Sequence, residues 1–590
     1  MVIAQRNEPE EAFEEELDPF NQLLLDERKE NDAPVVSQYA SVEKLGMFDT
    51  AGLVINRMIG SGIFSTPGTI LIGTGSVGVA MMFWITGAFI AFAGLCVYLE
   101  LGLTIPRRRI GEGANRRDVF VPRSGGEKNY LEWIYKRPRY AASCVYAVVF
   151  VFLGNTAANS IVFSRYTLEC FNNDNPSNWV VKAYALAAIT VACMLHGVWR
   201  SGGIWISNLL ALFKVIVLFF IIGLGFAVRG GAFPNMSRDV GNFDTKTSFA
   251  DPASKPYGLV MALLSVRFSY GGFENANYVL SDINKPERYL KISTMVSLAL
   301  VSFLYIFTNI AYLFVVPRDE AIASGTRMAA LFFDKIFGEN TTATRVLPAL
   351  CALSSFGNLI AVTFVAAKVK QEISKEGVLP FSKFWSRQYK FSFSRNERAE
   401  RSHGAAPIPQ LGETPIPALI LHWVISVLLV MIPPSGDAYT LLSNLYAYSI
   451  EACIGLLLAA GLLYKRYNKD GNRWKELRGF TPWLGPVIPI FYLLANIVLV
   501  CVPWMHSGES IMMKSISWFV FPTVALSVFA GGFVYWAVFR FAVPAVSGKV
   551  LNVKRIPYFD RDVFVLEAVY SKWVIRDGEA SDVEEDIELQ

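Results

Sequence analysis

The chain has 590 residues, of which 53% are hydrophobic, 14% aromatic and only 18% charged, with a formal net charge of +4. Soluble domains carry more charge than this, so one large water-soluble domain is excluded, and nothing in the charge balance calls for nucleic acid. The seven cysteines show no C-x-x-C spacing and the four histidines do not cluster, so no disulfide framework, metal site or cofactor is expected.

Residues 1–46 form a polar tail with twelve Asp/Glu against four Lys/Arg. It lacks the basic start and apolar core of a signal peptide and reads as disordered or loosely docked. Twelve apolar stretches follow, at about 50–73, 77–104, 139–170, 180–199, 203–228, 258–281, 291–316, 346–374, 417–434, 439–464, 484–503 and 516–541. They reach or approach the roughly 20 residues needed to cross a bilayer, several running longer. The transporter region is therefore taken as 47–545 and the C-terminal tail as 546–590. This predicts an all-α membrane protein with twelve transmembrane helices.

The loop after stretch 2 holds nine Lys/Arg, the loop after stretch 8 seven, and the loop after stretch 10 six, whereas 171–179 and 435–438 hold none. Basic loops stay on the cytoplasmic side, which puts both termini there. The two sequons, at Asn235 and Asn340, fall in loops on the opposite side. The loop Pro122-Arg123-Ser124-Gly125-Gly126-Glu127-Lys128-Asn129-Tyr130-Leu131 is glycine-rich. It lacks Walker spacing and a preceding strand, so it reads as a re-entrant or interfacial turn. In the tail, 555–575 mixes apolar and charged residues. It is either a solvated tail or a segment packed on the basic cytoplasmic face.

Stretch 1 contains Asn56-Arg57-Met58-Ile59-Gly60-Ser61-Gly62-Ile63-Phe64-Ser65-Thr66-Pro67. Glycine costs a helix about 1 kcal/mol relative to alanine, and here two occur within three residues. Ser65-Thr66-Pro67 then reads as a new helix start. Stretch 6 repeats the device with Arg267-Phe268-Ser269-Tyr270-Gly271-Gly272-Phe273-Glu274-Asn275-Ala276-Asn277. Breaks in stretches 1 and 6 fall at matching places in two five-span halves. With an odd number of spans, the second half is inverted relative to the first. That is the pattern of a transporter with its site at mid-membrane, where interrupted helices present backbone groups to a substrate. The start of the outer half-helix of stretch 1 offers N–H groups to a carboxylate. The ends of the inner half of stretch 1 and of the first half of stretch 6 offer carbonyls to an ammonium. An amino acid has both groups.

Gly60-Ser61-Gly62-Ile63-Phe64, Phe268-Ser269-Tyr270-Gly271-Gly272-Phe273 and Ser374-Lys375-Glu376-Gly377-Val378-Leu379-Pro380 resemble the L-type branch of the amino acid–polyamine–organocation superfamily. The Pro-Arg-Ser-Gly-Gly-Glu-Lys-Asn-Tyr-Leu loop resembles more particularly the fungal high-affinity methionine permeases. The resemblance covers about 45–545 and implies a LeuT-type fold, a 5+5 inverted repeat with helices 1 and 6 broken, in the plasma membrane. It implies that the N–H groups of Ser61, Gly62 and Ile63 take the carboxylate and the carbonyls of Met58, Phe268 and Gly271 take the ammonium. Phe273 would close over the substrate from outside, and Asn155 would be a polar pocket residue. Lys214 matches a lysine that stands where sodium-coupled relatives bind sodium. It is either a proton-coupling residue or a fixed cation bonded to the carbonyls of stretch 1.

Glu274, Glu451 and Arg57 depart from the L-type pattern. The two carboxylates either pair the ammonium and carry a proton, or face the cytoplasmic path or a basic residue. Arg57 either forms an inner gate with an acid or snorkels. L-type members that bond a partner chain use an external cysteine; Cys170 comes about five positions too early, and Asn175 holds the matching place. No disulfide-linked heavy chain is therefore expected. The resulting expectation is a proton-coupled importer of methionine or a similar neutral amino acid. A large neutral amino acid exchanger and, less favoured, a non-transporting sensor remain open. No nucleophile–base set or phosphate loop points to an enzyme. Lys29 and Lys44 are candidate ubiquitin acceptors for ligase adaptors recruited to the tail.

Overall fold

The computed structural model describes residues 35–36, 44–110, 117–171, 176–234, 236–253, 256–325, 327–338, 343–389, 414–433, 438–468, 471–505, 517–560 and 563–575. Asn235 and Asn340 of the sequons, Asn175 and Lys29 lie outside the described residues.

Among the described residues, nine helices are long and apolar enough to cross a membrane: Val77–Gly102, Ala141–Cys170, Asn178–Val198, Arg200–Arg229, Pro286–Val315, Pro348–Lys375, Ala438–Tyr467, Val487–Trp504 and Val520–Ser547. Stretch 9 is the shorter helix Ile416–Met431. Local chemistry sets several of the starts. Ser76 Oγ accepts from the Val79 N–H at 3.3 Å, and Pro286 opens its helix at the position where a missing N–H does no harm. Asp49 in the first turn of Met47–Met58 accepts from the Gly46 N–H at 2.8 Å and from Asn208 at 2.6 Å.

Stretches 1 and 6 are not continuous. Stretch 1 is Met47–Met58, Gly62–Ser65 and Pro67–Thr74. Stretch 6 is Pro256–Tyr270 followed by the four-residue helix Asn275–Tyr278. Both predicted breaks are present. Stretch 3 is also interrupted, between Ala141–Leu153 and Ala157–Cys170. Stretch 10 carries a π-helical segment over Ala447–Ile454. Neither irregularity is expected from the sequence, where Gly154-Asn155-Thr156 and the Ser449 and Glu451 of the π-segment are brief polar interruptions of apolar runs.

The chain is not all-α. A hairpin, β2 (Arg107–Ile110) with β3 (Arg117–Phe120), follows stretch 2. The tail forms a long antiparallel pair, β4 (Lys549–Asp560) with β5 (Val563–Ile575), and β1 (Val35–Val36) adds to β5. The pair packs on the helical region instead of being a solvated tail. Arg555 donates to Glu376 at 2.8 Å and to Glu567 at 3.1 Å, Arg123 donates to Glu567 at 3.0 Å, and Lys128 pairs with Glu376. The glycine-rich loop turns inward into the helix Glu127–Ile134, in which Glu127, Lys128 and Asn129 are all buried.

Candidate functional site

A helix that stops inside a membrane leaves its last carbonyls and the next helix's first N–H groups without partners. In stretch 1 the two sets are treated differently. The carbonyls at the end of Met47–Met58 are capped one by one from distant helices. Lys214 Nζ donates to the Asn56 carbonyl at 2.8 Å, Asn358 Nδ2 to the Arg57 carbonyl at 2.6 Å, and the Tyr305 hydroxyl to the Met58 carbonyl at 2.5 Å. The Gly60 N–H also donates to Met58, at 2.8 Å. By contrast, the N–H groups of Ser61, Gly62 and Ile63 have no acceptor among the described residues. The donor end of the break is open and the acceptor end is closed.

Close approach explains the glycines. A Cβ on Gly60 would lie 2.4 Å from Asn358 Nδ2, and one on Gly62 would lie 2.7 Å from Ser269 Oγ. The two breaks thereby touch: Thr66 Oγ1 bonds the Gly62 carbonyl and shares a hydrogen bond with Ser269 Oγ, both at 2.9 Å. Tyr305 also donates to the Ser269 carbonyl, at 3.0 Å, so one hydroxyl bridges both breaks. In stretch 6 the Gly271 N–H reaches back to the Phe268 carbonyl at 3.3 Å. Gly272 has φ +121, and its missing Cβ would meet Arg57 Cγ at 2.4 Å; an L side chain is excluded on both counts.

Four charges are buried around this junction. Glu274 Oε2 accepts from the Gly272 N–H at 3.0 Å. Glu451, on the π-helical segment, pushes Oε1 to within 1.8 Å of where a Gly271 Cβ would stand, and its Oε2 lies 3.9 Å from Arg267. Arg57 donates to Asn358 Oδ1 at 3.4 Å and stacks 5.1 Å over the Tyr446 ring. The balance here is of two carboxylates with two guanidiniums, while the buried Lys214 ammonium next to them is held by the Asn56 carbonyl. The balance leaves polar atoms over: Glu274 Oε1, both Glu451 oxygens, and Arg267 Nε and Nη1 are buried without a hydrogen-bond partner among the described residues. A π-turn that re-aims an acid toward a helix break fits the usual association of such turns with functional positions.

The site residues named from the sequence divide accordingly. Met58, Ser61, Gly62, Ile63, Phe268, Gly271, Glu274 and Glu451 meet at this junction. Phe273 does not stand over it. Its ring is buried edge-on to Tyr98 at 5.7 Å, against Gly94. The ring near the donor end is Phe268, edge-on to Tyr439 at 6.0 Å, and the Tyr439 hydroxyl bonds Ser61 Oγ at 3.1 Å. Asn155 is spent on its own turn: its amide donates to the Phe152 and Leu153 carbonyls, and its oxygen accepts from the Ala157 N–H at 2.8 Å. It caps the break in stretch 3 and, among the described residues, hydrogen-bonds to none of the other site residues. The Met58 carbonyl already accepts from two donors, which leaves it poorly placed for an ammonium. Lys214 is fully buried on a carbonyl, with Gly357 making room for its stem. Cys170 is a free, half-buried thiol.

Tyr305, Asn358, Tyr439 and Arg267 were not singled out from the sequence. Each carried a signal, a polar or charged group inside an apolar run, but nothing local says which break it reaches.

Residues 45–113 and 119–539 match the amino acid permease family. The chain belongs to that family. It is 32% identical over 509 residues to the high-affinity methionine permease of Saccharomyces cerevisiae, covering 85% of this chain and 80% of that one. The low-affinity methionine permease of the same yeast is 30% identical over 440 residues, covering 74% and 72%. The human large neutral amino acids transporter small subunit 2 is 28% identical over 469 residues, covering 76% and 77%. The expected resemblance to the L-type branch and to methionine permeases is borne out. This is a multi-pass amino acid permease, not an enzyme.

Proposed function

We propose that this permease imports methionine together with protons by alternating access. Its fold would be the LeuT-type 5+5 inverted repeat, with twelve crossings made of nine long helices, two broken ones and the shorter Ile416–Met431. The observation that carries the reading is the asymmetry of the first break: uncovered N–H groups on Ser61, Gly62 and Ile63 beside carbonyls that are already capped. Three converging donors at a helix start suit a carboxylate. The ammonium then goes to the other break, to the Phe268 and Gly271 carbonyls and the unpartnered Glu274 oxygen, and not to Met58. Phe268 and Tyr439 supply aromatic faces suited to a thioether, so we assign the closing ring to Phe268.

We assign the proton to the Glu274–Glu451 pair, because Glu274 Oε1 and both Glu451 oxygens are buried without hydrogen-bond partners beside two arginines. Lys214, which holds the Asn56 carbonyl, takes the anchoring role. The protein would sit in the plasma membrane with both termini cytoplasmic, and Lys29 and Lys44 would serve as ubiquitin acceptors.

The test is uptake of labelled methionine by reconstituted vesicles that contain no amino acid, driven by an imposed inward proton gradient. Accumulation supports symport. Absence of uptake unless the vesicles are preloaded with a neutral amino acid replaces symport with exchange.

A further inference from the structure

The glycine-rich loop holds a tyrosine. Tyr278 ends the short helix that follows the second break. The Gly125 N–H donates to the Tyr278 carbonyl at 3.0 Å. Gly126 has φ +53, and a Cβ there would strike the Tyr278 ring at 2.6 Å, so both geometry and contact require glycine. Ser124 Oγ shares a 2.6 Å hydrogen bond with Ser281 and accepts from its N–H at 3.1 Å.

At the centre is Glu127, which is 0% exposed. Its carboxylate accepts three phenolic hydroxyls: Tyr98 at 2.7 Å, Tyr278 at 2.6 Å and Tyr146 at 3.0 Å. These come from stretches 2, 6 and 3. The neighbouring cation Lys128 is taken by Glu376. A carboxylate is the side chain suited to this place, because it offers about four acceptor sites and no donor. A glutamine would offer one acceptor oxygen and turn an N–H₂ toward hydroxyls. The Tyr98 ring also packs edge-on against Phe273, whose ring centroid lies 5.8 Å from the Arg267 guanidinium carbon, so one core ring separates the three-tyrosine knot from the buried charges of the junction.

We propose that Glu127 is the inner clasp of the transport cycle, a positioning residue whose carboxylate locks the helix Asn275–Tyr278 to stretches 2 and 3. Releasing it opens the junction toward the side that carries the 105–138 loop. This rests on the alternating-access reading above. An acceptor that takes three hydroxyls from three elements holds them firmly when intact, and losing it leaves buried hydroxyls unsatisfied.

The experiment is hydrogen–deuterium exchange on the full chain in lipid nanodiscs, with methionine binding and uptake measured on the same variants. Glu127→Gln and Tyr278→Phe should speed exchange of the 275–283 amides about tenfold while the rest of the chain stays protected. Uptake Vmax should fall about tenfold, with methionine affinity changed less than about threefold. Glu127→Asp, which keeps the acceptor, should recover most of both. Unchanged exchange at 275–283 with normal Vmax overturns the clasp. If Glu127→Gln does not fold, Tyr278→Phe and Tyr146→Phe, each removing a single oxygen, decide the matter by the same criteria. Binding without flux in the unaltered protein would overturn the transport reading while leaving the exchange result to stand or fall alone.

Discussion

Two buried lysines each end a broken helix, and the backbone groups beyond them are treated differently. Lys214 caps Met47–Met58 through the Asn56 carbonyl, at 2.8 Å. Lys370 caps Ala141–Leu153 through the Gly154 carbonyl, at 2.7 Å. Beyond that the two diverge. After Gly154, Asn155 closes the turn with its own side chain, and Thr156 engages His422 and Ser426, both at 3.2 Å. After Met58 the next three N–H groups stay open, and unpartnered carboxylate and guanidinium atoms lie nearby. A break in a membrane helix is therefore not itself a site. It becomes one where the fold caps one end and withholds partners from the other, since the uncovered groups keep their full capacity for a ligand.

The comparison can be broken first at Gly62. Gly62→Val places a side chain against Ser269, so labelled methionine binding and uptake should fall by at least about a hundredfold. The variant should still elute as a folded monodisperse protein in size-exclusion chromatography. Normal uptake would remove the donor end of the first break from the site.

The next expected effect concerns the charges that distinguish this break. Glu451→Gln keeps shape and removes the titrating group beside Arg267. Uptake should lose its drive from an inward proton gradient and become nearly independent of external pH between about 5 and 8, while counterflow exchange of methionine persists. Retained gradient-driven accumulation would return Glu451 to a purely structural pairing.

The two lysines give the sharper contrast. Lys214→Ala and Lys370→Ala should each lower stability by about 1–3 kcal/mol, the cost of uncovering a buried carbonyl, read as a lower thermal midpoint in detergent. Lys214→Ala should also weaken methionine binding with an unchanged pH profile, whereas Lys370→Ala should leave affinity as it was. Equal effects on affinity would erase the distinction between the breaks. The smallest effect is expected of Asn155→Ala, about 1 kcal/mol of stability as for a lost helix cap, with unaltered methionine KM.

The parts of the site that could be read beforehand are those written in consecutive residues. Gly60 and Gly62, Gly271 and Gly272, and the proline after the first pair announce the breaks, because helix propensity is local; the expected hydroxyl cap is not made, since Thr66 Oγ1 turns back to the Gly62 carbonyl. Glu274 and Glu451 were visible as acids in apolar runs. What could not be read is where side chains from other helices end up. Asn155 looked like a pocket residue and instead caps its own turn; Phe273 looked like a lid and lies in the core. Both outcomes depend on rotamer choice against neighbours far along the chain.

By itself, then, the sequence determined the membrane class, the apolar stretches, the two main breaks and their amino acid chemistry, all consequences of length, hydropathy and backbone freedom. Only the tertiary structure decided which orphan groups of those breaks are satisfied. Lys214, Tyr305 and Asn358 lie between 158 and 301 positions from the carbonyls they cap. It likewise decided that the tail pairs into strands and that the glycine loop grips Tyr278. Hydrogen-bond satisfaction in a dry interior is a property of the packed whole, and it separates a mere interruption in a helix from a place for a substrate.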